Sequence, residues 1–426
     1  MITEAIEKPN QFMIRYQCGL AIASILIFFT NLDVYLPLAK IIPLEPLVYI
    51  VALTLASIPL LAFTPLSKRN FPKNLIKWCI AYIFITVFTF WLYPSFTNAP
   101  FQELKNRILA LNFILTTVLV FSEFYIVQKS ARYAIVAANL MAVFNNIYEF
   151  LNPGIFAGIN ETGRAAGFYI DANSSGDSLV LGIILGLGVL PHKYRVPFAL
   201  ISGIGIFVTF SRAALIGWIL VMLTLNITGV ISYKKLLSWI VGIILIIILL
   251  IPLGNLLSQI DTPAFSKDVV ARLEGFTSIN SSDGGDVEDA SITARKLVLK
   301  LGWEKFLESP LIGNGLGSAD FDVGALVEHE ISTHNTYLLY IIEHGILGAF
   351  VLPLIVLATT YPSRGEGRNV SFAFAIFVIM WGFFSHTIMN QRLHLLTFSL
   401  ISIMNQTSIN YTNIKAETIN HRDTEL

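Results

Sequence analysis

The sequence predicts an all-α polytopic membrane protein with about 12 transmembrane helices, and three observations lead there. Of the 426 residues, 55% are hydrophobic and only 13% charged, with a mean hydropathy of +0.68, beyond what a water-soluble core of this length needs. Apolar runs recur along the whole chain, and the basic residues collect in alternate loops. Lys and Arg number 28 against 28 Asp and Glu, so the zero net charge carries no nucleic-acid signature. Cys18 and Cys79 both lie in apolar runs, which excludes a disulfide framework or a thiolate zinc site.

A helix crosses a ~30 Å hydrocarbon layer with roughly 17 to 25 apolar residues. Such runs cover 16–38, 41–63, 76–96, 106–126, 131–151, 175–191, 195–211, 212–229, 234–254, 335–359, 370–388 and 393–409. The first is expected to be a span and not a cleaved signal peptide, because many others follow it. The sixth to eighth are short and contain Gly. No repeat or low-complexity tract interrupts the series, so 1–426 reads as one integral membrane domain. Basic residues are retained on the cytoplasmic side. With the N-terminus there, that side receives Lys68, Arg69, Lys73, Lys77, Lys129, Arg132, Lys193, Arg195, Lys234, Lys235, Arg364 and Arg368, and both termini are inside. Lys40, Lys105, Arg107, Arg164, Arg212 and Arg392 fall in the short outer loops.

Two long connections then face outward, 152–174 and 255–334, and long loops in compact folds are usually functional or disordered. In the second, "SINSSDGGDVEDAS" is polar and acidic and reads as mobile. The stretch "SITARKLVLKLGWEKFLESP" reads as a short external helix capped by Ser291 and stopped by Pro310. Leu297 with Leu301, and Leu299 with Trp303 and Phe306, are expected to lay it on the membrane surface or on the mouth of the bundle.

Arginine is costly beside hydrocarbon, so each one at the outer face asks for a reason. Arg164 lies in "NETGRAAGFYIDANSSGD", Arg212 in the turn "TFSRAAL", and Arg295 opens the external helix. Snorkelling or surface pairing explains any one of them; planar guanidinium groups gathered at one face also suit a bidentate grip on a diphosphate. "PLIGNGLGSADFD" offers glycines at 313, 315 and 317 whose N–H groups can cradle an anion, although the turn reading is favoured. Asp320 and Asp322 form a two-residue pattern too weak to assign a metal.

In "STHNTYLLYIIEHGILG", helical geometry puts His334, Leu338, Ile341, Gly345 and Gly348 on one stripe. The glycines then read as close packing, while His334 and Asn335 crown the stripe at the outer water boundary. An imidazole accepts a proton near neutral pH, but a lone interfacial His is more often a polar anchor. His329, His344, His386 and Asn390 are further outer or intramembrane polar residues, and His344 with Glu343 reads as structural.

His334-Asn335, nine residues, then Gly345-x-x-Gly348 resembles the histidine motif of bacterial O-antigen ligases. "RAAGFYIDANSSGD", "TFSRAALIGW" and "WEKFLESPLIGNGLG" resemble three other segments of the O-antigen ligase and polymerase superfamily, so the resemblance covers about 160–350. One departure is "DAN", where many relatives have proline before the asparagine, which loosens the match at Asn173. The resemblance implies a C-type membrane glycosyltransferase that uses an undecaprenyl-diphosphate-linked glycan on the periplasmic face of the bacterial inner membrane. The implied acceptor is a lipid A-core sugar for a ligase, another lipid-linked repeat unit for a polymerase, or a protein hydroxyl for an oligosaccharyltransferase. It also implies His334 as general base, Arg164, Arg212 and Arg295 on the diphosphate, Asn335, Gly345 and Gly348 in support, and no metal or other cofactor. The ligase is favoured because the histidine motif is complete. A polyprenyl-glycan transporter is the non-enzyme alternative, but transporters carry charge near mid-membrane and internal repeats, whereas here the polar groups gather at the rim.

Overall fold

A computed structural model describes residues 11–63, 71–93, 98–156, 164–234, 237, 286–321 and 331–424. Nearly all of the expected span 234–254, together with Asp322 and His329, lies outside the described residues. The fold is helical throughout, apart from a two-residue antiparallel ladder between β1 (Asp320–Phe321) and β2 (Ile331–Ser332).

The first expected span is two pieces. Helix α1 (Gln11–Ser24) continues through a π-helical turn, Ile25–Phe29, and breaks at Asn31, whose left-handed φ of 61° is one that Asn tolerates. Helix α2 (Leu32–Leu38) follows at the bundle's end. Next come α3 (Pro46–Phe63), α4 (Lys73–Leu92), α5 (Asn98–Phe121) and α6 (Tyr125–Leu151). The turn between α5 and α6 lies at 122–124, earlier than expected, so Lys129 and Arg132 are inside α6 and not in a loop. Lys105 and Arg107, expected in an outer loop, likewise lie inside α5. The bundle permits this by pairing the arginines: Arg132 donates to Glu366 at 2.7 Å, and Arg107 meets Glu343.

Helices α7 (Ala172–Gly186), α8 (His192–Phe207) and α9 (Arg212–Ile227) continue the bundle. The helix expected to be external, α10 (Asp286–Glu308), starts earlier than its expected cap at Ser291 and ends just before Pro310. The end of the acidic run expected to be mobile, from Asp286 on, forms its first turn. Then come α11 (Thr336–His344), a 3-10 segment Gly345–Phe350, α12 (Val351–Thr360), α13 (Gly365–Trp381) and α14 (Arg392–Thr424).

Among the described residues, six helical stretches, some of them joining two elements, are long and apolar enough to cross a membrane: Gln11–Phe29, Lys73–Leu92, Ala99–Phe121, Tyr125–Leu151, Ala172–Val189 and Thr336–Thr360. Phe28, Phe29, Phe113, Phe121, Phe374, Phe377 and Phe398 fill the interior. Outside, Phe84, Trp91, Phe144, Ile80 and Leu55 stand exposed, an apolar surface that water would penalise and lipid accepts.

Polar side chains tie the bundle at both ends. At one end Arg195 donates to the carbonyls of Leu190 and Val230, and Asn74 to that of Tyr361. At the other, Asn31 donates to the Phe168 carbonyl at 3.1 Å and Arg392 faces Asp33 at 3.0 Å.

Candidate functional site

The end that holds Asn31 and Asp33 collects most of the residues singled out in the sequence. Three helices start there with a side-chain cap. Asp171 accepts from Ser174 N at the head of α7, Ser211 from Ala214 N at α9, and Asn335 from Leu338 N at α11.

Arg164 and Arg212 are brought to one corner. The Arg164 guanidinium donates through Nε to the Thr209 carbonyl at 3.1 Å and through Nη2 to Asn173 Oδ1 at 3.0 Å. Asn173 Oδ1 also accepts from Ser211 Oγ at 2.9 Å, so one amide oxygen joins the loop of Arg164 to the residue before Arg212. The "DAN" segment is therefore a joint in its own right. Glu149, at the end of α6, holds the same loop by accepting from the backbone N–H groups of Ala166 and Gly167, each at 2.7 Å. Sequence reading missed Glu149, because nothing near it in the chain shows that a turn 17 residues on will seat on its carboxylate.

His334 comes before α11 and not on it, and its φ of 46° is left-handed. Its neighbours fix that conformation. Thr333 Oγ1 donates to the Asn335 carbonyl at 3.2 Å, Thr336 N to the Gly382 carbonyl at 2.8 Å, and Thr336 Oγ1 to the Ser385 carbonyl at 2.5 Å. The His334 ring is exposed and stands edge to face with His386, centroids 5.5 Å apart. The connection 382–391 that carries His386 also reaches the arginine corner, where Gln391 Nε2 donates to Ser174 Oγ at 3.2 Å.

The single stripe expected from His334 to Gly348 does not exist. Helix α11 stops at His344, and Gly345 turns the chain with φ of 66°. The glycines do serve close packing, but of other groups. A Cβ on Gly345 would collide with the Leu311 carbonyl, and one on Gly348 with the Tyr340 carbonyl.

The glycine run 313–317 is a turn, with φ of 81°, 95° and 73° at its three glycines. Its anion is the protein's own: Gly317 N donates to Glu343 Oε1 at 2.8 Å. Glu343 and His344 are structural, as expected, and their partner is Arg107. Arg107 bonds Glu343 and donates through Nη1 to His344 Nε2 at 2.7 Å, while His344 Nδ1 meets Thr89 Oγ1 at 2.8 Å. Arginine can only donate, so the His344 proton sits on Nδ1 and bonds Thr89.

Helix α10 runs beside α11, with Gly302 against Leu338 and the Lys305 carbonyl sharing the Asn314 side-chain amide with the Ile342 carbonyl. The two helices therefore point the same way, and Arg295 lies on α10 toward the His334 end. The side chain of Arg295 is outside the described residues, as are those of Asp320 and Asp322. The expected apolar contacts of α10 split: Phe306 is buried and Leu297 and Leu301 are half-buried, whereas Leu299 and Trp303 are exposed. Among the described residues, no group of three His, Cys, Asp or Glu side chains is placed to hold a metal.

Residues 197–353 match the family model described as O-antigen ligase. The matched region runs from α8 into α12 and contains Arg212, Arg295, His334, Asn335, Gly345 and Gly348; Arg164 and His386 lie beyond it. No curated protein matches the chain. Over that region the chain is similar to the O-antigen ligase family, and its apolar helices fit a polytopic membrane protein.

Proposed function

We propose that the protein is an O-antigen ligase: a metal-independent, inverting glycosyltransferase that moves a glycan from undecaprenyl diphosphate to a hydroxyl of a lipid A-core sugar. In this reading the chain has twelve spans in the bacterial inner membrane, both termini are cytoplasmic, and the end with His334 faces the periplasm. The observation that carries the proposal is the connection 382–391. It packs His386 on His334 and bonds the head of α7, where Asn173 holds Arg164 beside the turn of Arg212.

Arg164, Arg212 and Arg295 grip the diphosphate and neutralise the charge that grows as it leaves. The N-termini of α7, α9 and α11, positive ends of their dipoles, add to that field. His334 takes the proton of the acceptor hydroxyl while that oxygen gives an electron pair to the anomeric carbon from the face opposite the leaving group. The bond from anomeric carbon to phosphate oxygen breaks, undecaprenyl diphosphate departs with its electron pair, and His334 later releases the proton to water. The polyprenyl chain approaches through the lipid, along the apolar flank of the bundle.

The test is transfer by the purified protein in EDTA, with undecaprenyl-diphosphate-linked glycan and either a lipid A-core acceptor or none. Product on lipid A-core supports the ligase. Longer lipid-linked chains without that acceptor replace it with the polymerase, and no product with either points to transport.

A further inference from the structure

We propose that His386 is a positioning residue of this site: it presents its ring face to the edge of the His334 imidazole, fixes that ring, and steadies the positive charge that His334 acquires on taking the acceptor's proton. The inference rests on the reading of His334 as general base.

Geometry comes first. A non-glycine residue in the left-handed region costs about 1–3 kcal/mol and persists only where its surroundings over-determine it. At His334 the determining contacts lead to one partner segment. Thr336 is bonded by backbone and hydroxyl to Gly382 and Ser385, on the connection that carries His386. The same connection is braced internally, Ser385 Oγ lying 3.0 Å from Thr387 Oγ1 and Asn390 N donating to the Thr387 carbonyl at 2.8 Å. Two imidazoles 5.5 Å apart at an interplanar angle of 82° are therefore held in place by the backbone on both sides.

Chemistry follows from the difference between the two rings. His334 is exposed, whereas His386 is partly buried and its Nδ1 has no water contact. Burial, then the charge of His334, push the His386 pKa down to about 4, so His386 is neutral at neutral pH. With its face toward His334, as proposed, the neutral His386 ring attracts the cation; an aromatic face within ~6 Å of a cation is worth roughly 0.5–1 kcal/mol at an exposed site, and an imidazole face is the weaker kind. The imidazolium form of His334 is then favoured over the free imidazole, which makes His334 the better base. The elements around the connection also bring Asp171 and Asp177 of the α7 region, Asp33 beside α2, Arg212 of α9, and Arg392 and His394 of α14 to this end. Of these, Asp33 is engaged by Arg392 and Asp177 by His394, and the charge that acts on the His386 ring is that of His334.

The experiment compares wild type, His386→Ala and His386→Phe, each first shown by thermal melting to be folded. Carbethoxylation of His334 by diethyl pyrocarbonate, followed by mass spectrometry across pH 5–9, gives its titration midpoint without reference to activity. The transfer rate across the same range gives the acid limb. The expected result is a midpoint and an acid limb about half a unit lower in His386→Ala and retained in His386→Phe, because Phe keeps the aromatic ring. An unchanged midpoint in His386→Ala, or an equal fall in both variants, overturns the proposal. Absence of transfer in every protein, wild type included, refutes the glycosyltransferase reading and leaves the His334 midpoint to decide the pairing of the two rings.

Discussion

Helix α11 has a histidine near each end, and the two lead opposite lives. His344 is buried, with both ring nitrogens taken by Arg107 and Thr89, and Glu343 beside it seats the glycine turn at Gly317. His334 is exposed, held in a left-handed conformation, and faces a second imidazole. The residue type is the same and the segment is the same. A saturated hydrogen-bond network leaves no group for a substrate to engage, whereas a rigid backbone that presents an exposed ring does.

The sharpest way to break this contrast is His334→Ala. It is expected to lower transfer by more than ~10²-fold while the melting temperature in detergent holds, since the ring is exposed. A loss of folding in its place would make His334 a second structural histidine. The converse variant, Arg107→Leu, strips the buried carboxylate of its partner and is expected to cost about 3–5 kcal/mol of stability. Arg107→Met with Glu343→Leu recovers much of it, because two apolar side chains leave no orphaned charge; equal melting of the single variant and wild type would show the network to be idle. A smaller effect is expected from Arg212→Lys, which keeps the charge and loses the planar fork. Transfer falls by about tenfold, read as kcat/KM for the lipid-linked donor.

The smallest expected effect compares the rim with the interior by pH. Asp33, next to Arg392, is raised from 3.8 to about 6 by burial, against the pull of the Arg392 charge. The folded protein thus prefers the protonated carboxyl more than the unfolded chain does. The contribution of Asp33 is full below pH 4 and is lost as pH rises through 6. Relative to wild type, Asp33→Asn is therefore expected to gain about 1 kcal/mol between pH 5 and pH 8, measured by thermal unfolding at both values. No change in the difference would mean that Arg392 fully compensates the buried charge.

The sequence by itself determined the class of the fold, because span length and apolar content answer to the bilayer alone. It also determined the chemistry on offer at His334, Arg164, Arg212 and Arg295, since residue types and their order are local facts. Helix limits were legible where a stop lies in the chain, as at Pro310, whereas the cap expected at Ser291 lies inside α10. They were not legible where a distant partner decides: α5 absorbs Arg107 only because Glu343, 236 residues away, neutralises it. The same reason hid the partners of His344, Arg107 and Thr89. Only the tertiary structure decided which partners seal His344, which carboxylate seats the Arg164 loop, and that His386 packs on His334. Those outcomes depend on desolvation and on hydrogen bonds between segments far apart in the chain, and no spacing in the sequence records either.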